Sequence, residues 1–216
     1  MITKKISNKT YNIPNTWWDV TLDKFIRLKR LEDNIDKIDF VDYAIQYISS
    51  ITDIPSEVLE ELPADELGEL SRTIEGIVST KINSNTENGF KLNGKYYIFD
   101  GKTDKMILGQ FIDAEMFSDS ADIWSNAHKI TAVFWREMEG KPKWYEKKLS
   151  KVNFKKHKPE KYDSERCLEN SRSFMMELPM PIIYQTVFFF KILSKQYQAF
   201  TQRSSKKKSL MTTEKK

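Results

Sequence analysis

The residues that come closest to a catalytic pattern are Asp100 and Lys102, in the run Tyr97-Ile-Phe-Asp-Gly-Lys. An aspartate at a strand end followed two residues later by a lysine is half of a metal-dependent nuclease site. In such a site the carboxylate holds Mg²⁺ and the lysine positions the attacking water. No earlier strand supplies a second carboxylate at a convincing spacing, and Asp-Gly is a common turn dipeptide. The run therefore favours a turn over a nuclease site.

The other residue types that ligate metals or act as nucleophiles are scattered along the sequence. His128, His157 and Cys167 are the only histidines and cysteine, and no two of them lie at the i, i+4 spacing of a metal site. Cys167 falls in a charged helical run, where cysteine is usually a structural residue. Asp113 and Glu115 are two positions apart, so their side chains point in different directions on a helix. We therefore predict no enzyme activity, no catalytic residue, no metal site and no cofactor.

Lysines are concentrated in the segment 141–161, which holds nine lysines against two glutamates and includes the aromatic residues Trp144, Tyr145 and Phe154. Lysines interleaved with aromatic rings are what a groove for single-stranded nucleic acid uses. The alternative is a solvated loop whose aromatic residues anchor it to the core. The basic surface of this prediction consists of Lys143, Lys147, Lys148, Lys151, Lys155, Lys156 and Lys158.

The charge of the whole chain is only +4, so the basic loop and a basic tail at 203–216 are carried by an acidic body. The single cysteine and the first residues, which lack the apolar stretch of a signal peptide, predict a reducing compartment. The longest apolar run, 187–190, is too short to span a bilayer. We expect the protein in a host cytoplasm, with no membrane partner.

The elements that position these residues are mostly helices. Apolar side chains recur at helical spacing in segments that begin at Leu22, after Asp36 and around Val58, and that cover about 65–80, 107–115, 121–137, 161–177 and 181–201. Asn93-Gly94 lies between two strand-like runs and predicts a small hairpin at about 90–99. The predicted fold is all-α, mainly a helical bundle with a small β-hairpin insertion, arranged either as two helical lobes or as one continuous bundle.

The hairpin divides the chain into four predicted regions. These are an N-terminal helical region with an extended arm at 1–82, a linker and hairpin at 83–104, a C-terminal helical region at 105–202, and a disordered basic tail at 203–216. The helix predicted at 181–201 is apolar around most of its circumference, so it must be buried in the core or in a partner. Core burial is the favoured interpretation, and an assembly surface that allows oligomerisation is the alternative. The predicted partner-binding residues are Trp17, Trp18, Phe188, Phe189, Leu193 and Tyr197.

The run Ile51-Thr-Asp-Ile-Pro-Ser-Glu-Val-Leu-Glu-Glu-Leu-Pro-Ala-Asp-Glu-Leu-Gly-Glu-Leu-Ser-Arg-Thr-Ile resembles the tail assembly chaperones of long-tailed bacteriophages. The stretch from Ile13-Pro14 to Phe25-Ile26 resembles the extended arm and helix start of phage tail and neck proteins. Motifs of the second half, including Leu108-Gly-Gln-Phe-Ile-Asp and Phe188-Phe189, are similar to virion-associated proteins of phages of Bacteroidetes-type hosts.

The resemblance implies a role in phage assembly and no particular catalytic site. It implies a chaperone or scaffold that binds apolar helical stretches of the tape measure protein until the tail polymerises. Two alternatives stay open: a structural virion component of the neck, portal or tail that packs through the last helix, and a nucleic-acid-binding protein that uses the Lys-rich loop and tail.

Overall fold

A computed structural model of the chain describes residues 1–6, 8–83, 87–101, 106–119, 122–142 and 152–213, with side chains as far as Ala199. The predicted extended arm is a β-hairpin, in which β1 (Ile2–Ile6) pairs antiparallel with β2 (Lys9–Ile13). Asn8 stands at the turn with a φ of 65°, a left-handed conformation that asparagine tolerates. Ile6 and Ile13 are buried, so the hairpin is held by apolar side chains on one face.

Four helices follow the hairpin: α1 (Leu22–Glu32), α2 (Phe40–Thr52), α3 (Ser56–Glu60) and α4 (Ala64–Val78). Asp39 caps α2, because its carboxylate accepts a hydrogen bond from the Val41 amide at 2.9 Å. Asp53 ends α2 in the left-handed conformation, with a φ of 61°. Pro63 stands directly before α4, where a proline interrupts no helical hydrogen bond. The helices predicted in this half are confirmed.

The second half contains α5 (Leu108–Ser118), α6 (Ala127–Phe134), α7 (Ser164–Glu177) and α8 (Met180–Thr213). The α8 backbone continues as helix beyond 201 and through most of the predicted disordered tail. No glycine or proline follows Pro181, and the lysines, glutamines and serines of this stretch are compatible with a helix. Among the helices of the described ranges, none is both long enough and apolar enough to cross a membrane.

A three-stranded sheet replaces part of the predicted all-α architecture. The hairpin of β3 (Gly89–Leu92) and β4 (Lys95–Phe99) is confirmed, with φ of 48° at Asn93 and 79° at Gly94, as a tight two-residue hairpin turn requires. A third strand, β5 (Trp135–Glu137), pairs antiparallel with β4. The order of strands is β3-β4-β5.

The helix predicted over 121–137 is therefore wrong at its C-terminal end. The α6 helix stops at Phe134, where the Phe134 carbonyl accepts a hydrogen bond from the Asp100 amide at 2.8 Å. Trp135 is fully buried, and its indole N–H donates to the Thr186 hydroxyl at 2.7 Å. Helical periodicity does not predict β5. Residues 135–137 form a strand because they pair with the open edge of β4, which lies far away in the sequence.

One hydrophobic cluster joins the two predicted helical regions. Leu22 and Ile48 from the first half share it with Trp135 and Ile183 from the second. The two halves also meet through the backbone, where the Met180 amide donates to the carbonyl at position 20 at 2.8 Å. The two halves therefore share a core. The fold is mainly helical with two small antiparallel sheets, so the prediction of an all-α fold is corrected to a mixed one.

Candidate interaction surfaces

Asp100, the residue closest to a catalytic pattern, is engaged in a buried ion pair. Its carboxylate binds the guanidinium of Arg136, and the side chains of both residues are 13% exposed. The Gln110 amide also donates to the Asp100 carboxylate, at 3.3 Å, so this residue ties β4 to β5 and α5. Lys102 lies outside the described residues. Within the described residues, no three histidine, cysteine, aspartate or glutamate side chains are grouped so that they could hold a metal ion.

Asp113 and Glu115, two positions apart on α5, bind different neighbours. The Tyr162 hydroxyl donates to the Asp113 carboxylate, and burial together with this bond raises the pKa of the Tyr162 phenol above its usual range. The Ser194 hydroxyl of α8 donates to Glu115 at 2.6 Å. The two carboxylates therefore fasten α5 to two separate parts of the chain, and they do not converge on one point.

Burial shifts the pKa values of Cys167 and His128 in the direction that suppresses their ionisation. Burial raises the pKa of the Cys167 thiol to about 11, so only a small fraction is thiolate at neutral pH. Burial, with the nearby charge of Lys129, lowers the pKa of His128 to about 4, so this imidazole is neutral at physiological pH. Both residues have the environment of structural side chains.

The two tryptophans proposed as partner contacts are in different environments. Trp17 is 7% exposed and belongs to the hydrophobic core, and its indole N–H donates to the Thr80 carbonyl at 3.0 Å. It is therefore corrected from a partner contact to a core residue. Trp18 is 40% exposed and remains available for a partner.

The four residues proposed on α8 lie at the border between core and surface. Phe188 is 53% exposed and Tyr197 is 46% exposed. Phe189 and Leu193 are half-buried, and the Phe189 ring packs edge-on against two aromatic rings of the core. The Tyr197 ring contacts Phe111 of α5 in a tilted arrangement, with 4.5 Å between ring centres. From Lys195 to Ala199 every side chain is exposed.

An exposed apolar surface on α5 is not among the surfaces predicted from the sequence. It is formed by Leu108, Ile112 and Met116 of α5, which are 65%, 53% and 62% exposed. We call these three residues the α5 stripe. Their i, i+4, i+8 spacing places them along one face of the helix, next to the face through which Phe111 and Glu115 contact α8. The spacing is present in the sequence, but a stripe of apolar residues at this spacing is equally typical of a helix face that packs on the core.

The predicted basic surface is partly described. Lys155, Lys156 and Lys158 are exposed, and Lys143, Lys147, Lys148 and Lys151 lie outside the described residues. The ends of the Lys-rich segment are joined by backbone pairing. The Glu139 amide donates to the Lys158 carbonyl at 2.8 Å, and the Glu160 amide donates to the Glu137 carbonyl at 2.8 Å. The segment therefore leaves and rejoins the body at one point beside β5.

An aromatic anchor fixes the returning limb of this segment. The Phe154 ring lies directly over Gly89, where a Cβ atom would overlap the ring. Only glycine at 89 permits this close approach of ring and backbone. Phe154 therefore packs against the sheet at Gly89, as the interpretation of an anchored loop expects of this residue, while Trp144 and Tyr145 lie outside the described residues.

Comparison with known proteins gives no relative for this chain. No protein-family model, no curated protein and no solved structure matches it. The resemblance to phage tail assembly chaperones and virion-associated proteins therefore stays a prediction.

Proposed function

We propose that this chain is a non-catalytic assembly chaperone or scaffold that binds apolar helical segments of a phage tape measure protein. The binding surface is the α5 stripe together with the adjoining part of α8. The observation that carries the proposal is the exposure of Leu108, Ile112 and Met116, each more than half accessible on one helical face. The phage context comes from the sequence resemblance.

The geometry of the stripe suits a helix as its partner. Its three side chains span about 12 Å, since eight residues of helix rise 1.5 Å each. Apolar residues at this spacing are complementary to the apolar face of an amphipathic helix, as in helix-in-groove recognition. Met116 and Leu108 have flexible, unbranched or γ-branched side chains, which adapt to partners of varied sequence.

Helix α8 borders the binding surface on one side. The Tyr197 ring of α8 packs at a tilt against Phe111, and Ser194 is bonded to Glu115, so α8 is held along the side of α5 next to the stripe. The exposed part of Tyr197 adds an aromatic ring with a polar tip at the edge of the apolar surface. A partner helix lying on the stripe would therefore contact two elements.

Co-expression with a fragment of the tape measure protein tests this function. The wild-type chain is expected to increase the soluble fraction of the fragment and to co-purify with it. Replacing all three stripe residues, L108K, I112K and M116K, is expected to abolish both effects, because three ammonium groups would face the apolar partner. The matched control places three lysines at other exposed apolar positions, I35K, F40K and V41K, and is expected to behave like the wild type. Unchanged fragment solubility with the wild-type chain, or full activity of the stripe variant, would sink the proposal.

A structural virion component is the second candidate, and the length of α8 favours it. Its 34 residues correspond to about 51 Å of helix. The side chains from 195 to 199 are all exposed, although Tyr197 also contacts Phe111 of α5, so this end of the helix offers accessible surface for docking in a particle. Mass spectrometry of purified particles separates the two candidates. A fixed copy number in the particle identifies a virion component, whereas absence despite strong expression during infection favours the chaperone.

A further inference from the structure

The outer face of the β3-β4-β5 sheet carries aromatic rings next to lysines. The Nζ atom of Lys91 lies 5.6 Å from the centre of the Tyr96 ring. On the same side, the centres of the Tyr96 and Phe154 rings are 6.5 Å apart. Both rings are half-buried, so each keeps accessible surface. This arrangement provides π-faces for stacking within reach of cationic side chains.

Two hollows flank this pair of rings. One is lined by Lys95, Tyr96 and Lys141 and has a volume of about 520 Å³. The other, lined by Asn88, Asn153, Phe154 and Lys155 among others, has a volume of about 520 Å³ as well. Each hollow has a volume in the range of small-ligand sites and combines a ring with polar or cationic groups.

The carboxylates in this region are largely neutralised by described partners. Glu137 lies 3.1 Å from the Lys95 ammonium, and Glu160 is paired with Arg166. Among the described residues, Glu87 lines one hollow, Glu139 is joined through its amide to the Lys158 carbonyl, and Glu177 accepts a hydrogen bond from Asn93 at the hairpin turn. Five exposed lysines of the described residues outnumber these three carboxylates: Lys91, Lys141, Lys155, Lys156 and Lys158. The surface therefore attracts anions.

The surface is also fixed in shape. Phe154 is seated on Gly89, so the limb that carries Lys155 and Lys156 is held against the sheet. On β5, Arg136 pairs in register with Ile98, and its guanidinium donates to the Glu160 carbonyl, which closes the base of the Lys-rich segment. The backbone that carries the rings and lysines is therefore ordered before a ligand binds, which lowers the entropy lost on binding.

We propose that this face, named here the Tyr96 face and comprising Lys91, Tyr96, Phe154, Lys155, Lys156 and Lys158, binds single-stranded nucleic acid. Bases stack on the rings of Tyr96 and Phe154, and the lysines contact phosphates. Lysine without arginine at these positions favours diffuse phosphate contacts over recognition of particular bases. An acidic peptide would use the lysines but would give the two rings no role. The proposal is independent of the proposed function, because it uses none of the residues of the α5 stripe.

The test is fluorescence anisotropy of the full chain with a labelled 12-nucleotide thymidine oligomer, titrated at several salt concentrations. Removing three lysines, K155Q/K156Q/K158Q, is expected to weaken binding and to reduce the slope of log affinity against log salt by about 2, since each contact to single-stranded phosphate contributes roughly 0.7. The control K5Q/K9Q/K37Q removes the same charge from other exposed lysines and is expected to leave affinity within about twofold. Equal loss in both triple variants would overturn the proposal.

The stacking contribution is tested by Y96A, which is expected to weaken binding roughly tenfold without changing the salt slope. Thermal unfolding checks that this variant is folded. If it is not, the salt dependence of the lysine variants tests the proposal instead. A duplex of the same sequence is expected to bind more weakly than the single strand. Binding of a poly-glutamate peptide with no binding of the oligomer would overturn the proposal in favour of an acidic protein partner.

Discussion

Two regions of the molecule, the α6–β5 junction and the α5 stripe, use apolar side chains for opposite purposes. At the junction Trp135 is fully buried and bonded to Thr186, and the neighbouring Arg136 is paired with Asp100. On α5, Gln110 binds Asp100, whereas Leu108 and Ile112 on either side of it, and Met116 further along, are more than half exposed. The difference indicates that the junction maintains the fold and that the stripe is available for a partner.

The comparison predicts its largest effect at Trp135. Replacing it with alanine removes a fully buried ring and leaves the Thr186 hydroxyl without its donor. We expect a loss of about 3–5 kcal/mol in the free energy of unfolding, measured by urea denaturation. The control W18A, at a tryptophan that is 40% exposed, is expected to cost far less. Similar losses in both variants would contradict the assignment of Trp135 to the centre of the core.

The buried ion pair gives the next largest effect. D100A leaves the Arg136 guanidinium buried without its carboxylate, and we expect roughly 3 kcal/mol of destabilisation, measured by the same denaturation. E69A serves as control, because Glu69 pairs with Lys4 at the surface and its side chain is 67% exposed. If Asp100 instead served a nuclease site, D100A would leave stability nearly unchanged and remove an Mg²⁺-dependent cleavage activity.

A smaller effect is expected from His128, at the start of α6. Its folded pKa of about 4 lies below the ordinary value of 6.5, so between these values the unfolded chain binds a proton that the folded chain does not. Stability is therefore expected to fall as pH decreases from 6.5 to 4 and to level off below 4 as far as this residue is concerned. H128Q should flatten that part of the stability profile, measured by thermal unfolding across pH. An unchanged profile would show that His128 is accessible to protons in the folded state.

The smallest effect on stability is expected at the α5 stripe. Single substitutions of Leu108, Ile112 or Met116 by lysine are expected to change the free energy of unfolding by about 0.5 kcal/mol or less, because the side chains are already in contact with water. A loss comparable to that of W135A would show that the stripe belongs to the core, and the comparison between the two regions would fail.

The fold was predictable where local signals and tertiary contacts agree. The helix that begins at Leu22, the helix after Asp36 and the hairpin at Asn93-Gly94 are predicted from short-range signals, and these elements are present. The N-terminal hairpin and β5 were missed, because a strand of three to five residues is defined by its partner more than by its own sequence. The sequence predicts an end of the last helix at 201, because the lysine-rich composition that follows is typical of disorder, whereas the helix continues to Thr213.

The surfaces were less predictable than the fold. Periodicity shows that one side of a helix is apolar, but it does not show whether that side meets the core or solvent. For this reason Trp17 was proposed as a contact although it is buried, whereas the α5 stripe was overlooked. Phe154 was predicted as an anchor in one of two interpretations, and the close approach to Gly89 required the structure.

The central claim is that the α5 stripe is the protein-binding surface, and site-specific photo-crosslinking during phage infection tests it most directly. A photoreactive phenylalanine analogue would replace Ile112, which is 53% exposed, or in the control Phe40, which is 81% exposed on α2. The account predicts a crosslink from position 112 to the tape measure protein and none from position 40. Crosslinking of the tape measure protein from position 40 but not from position 112, or from neither, would contradict it.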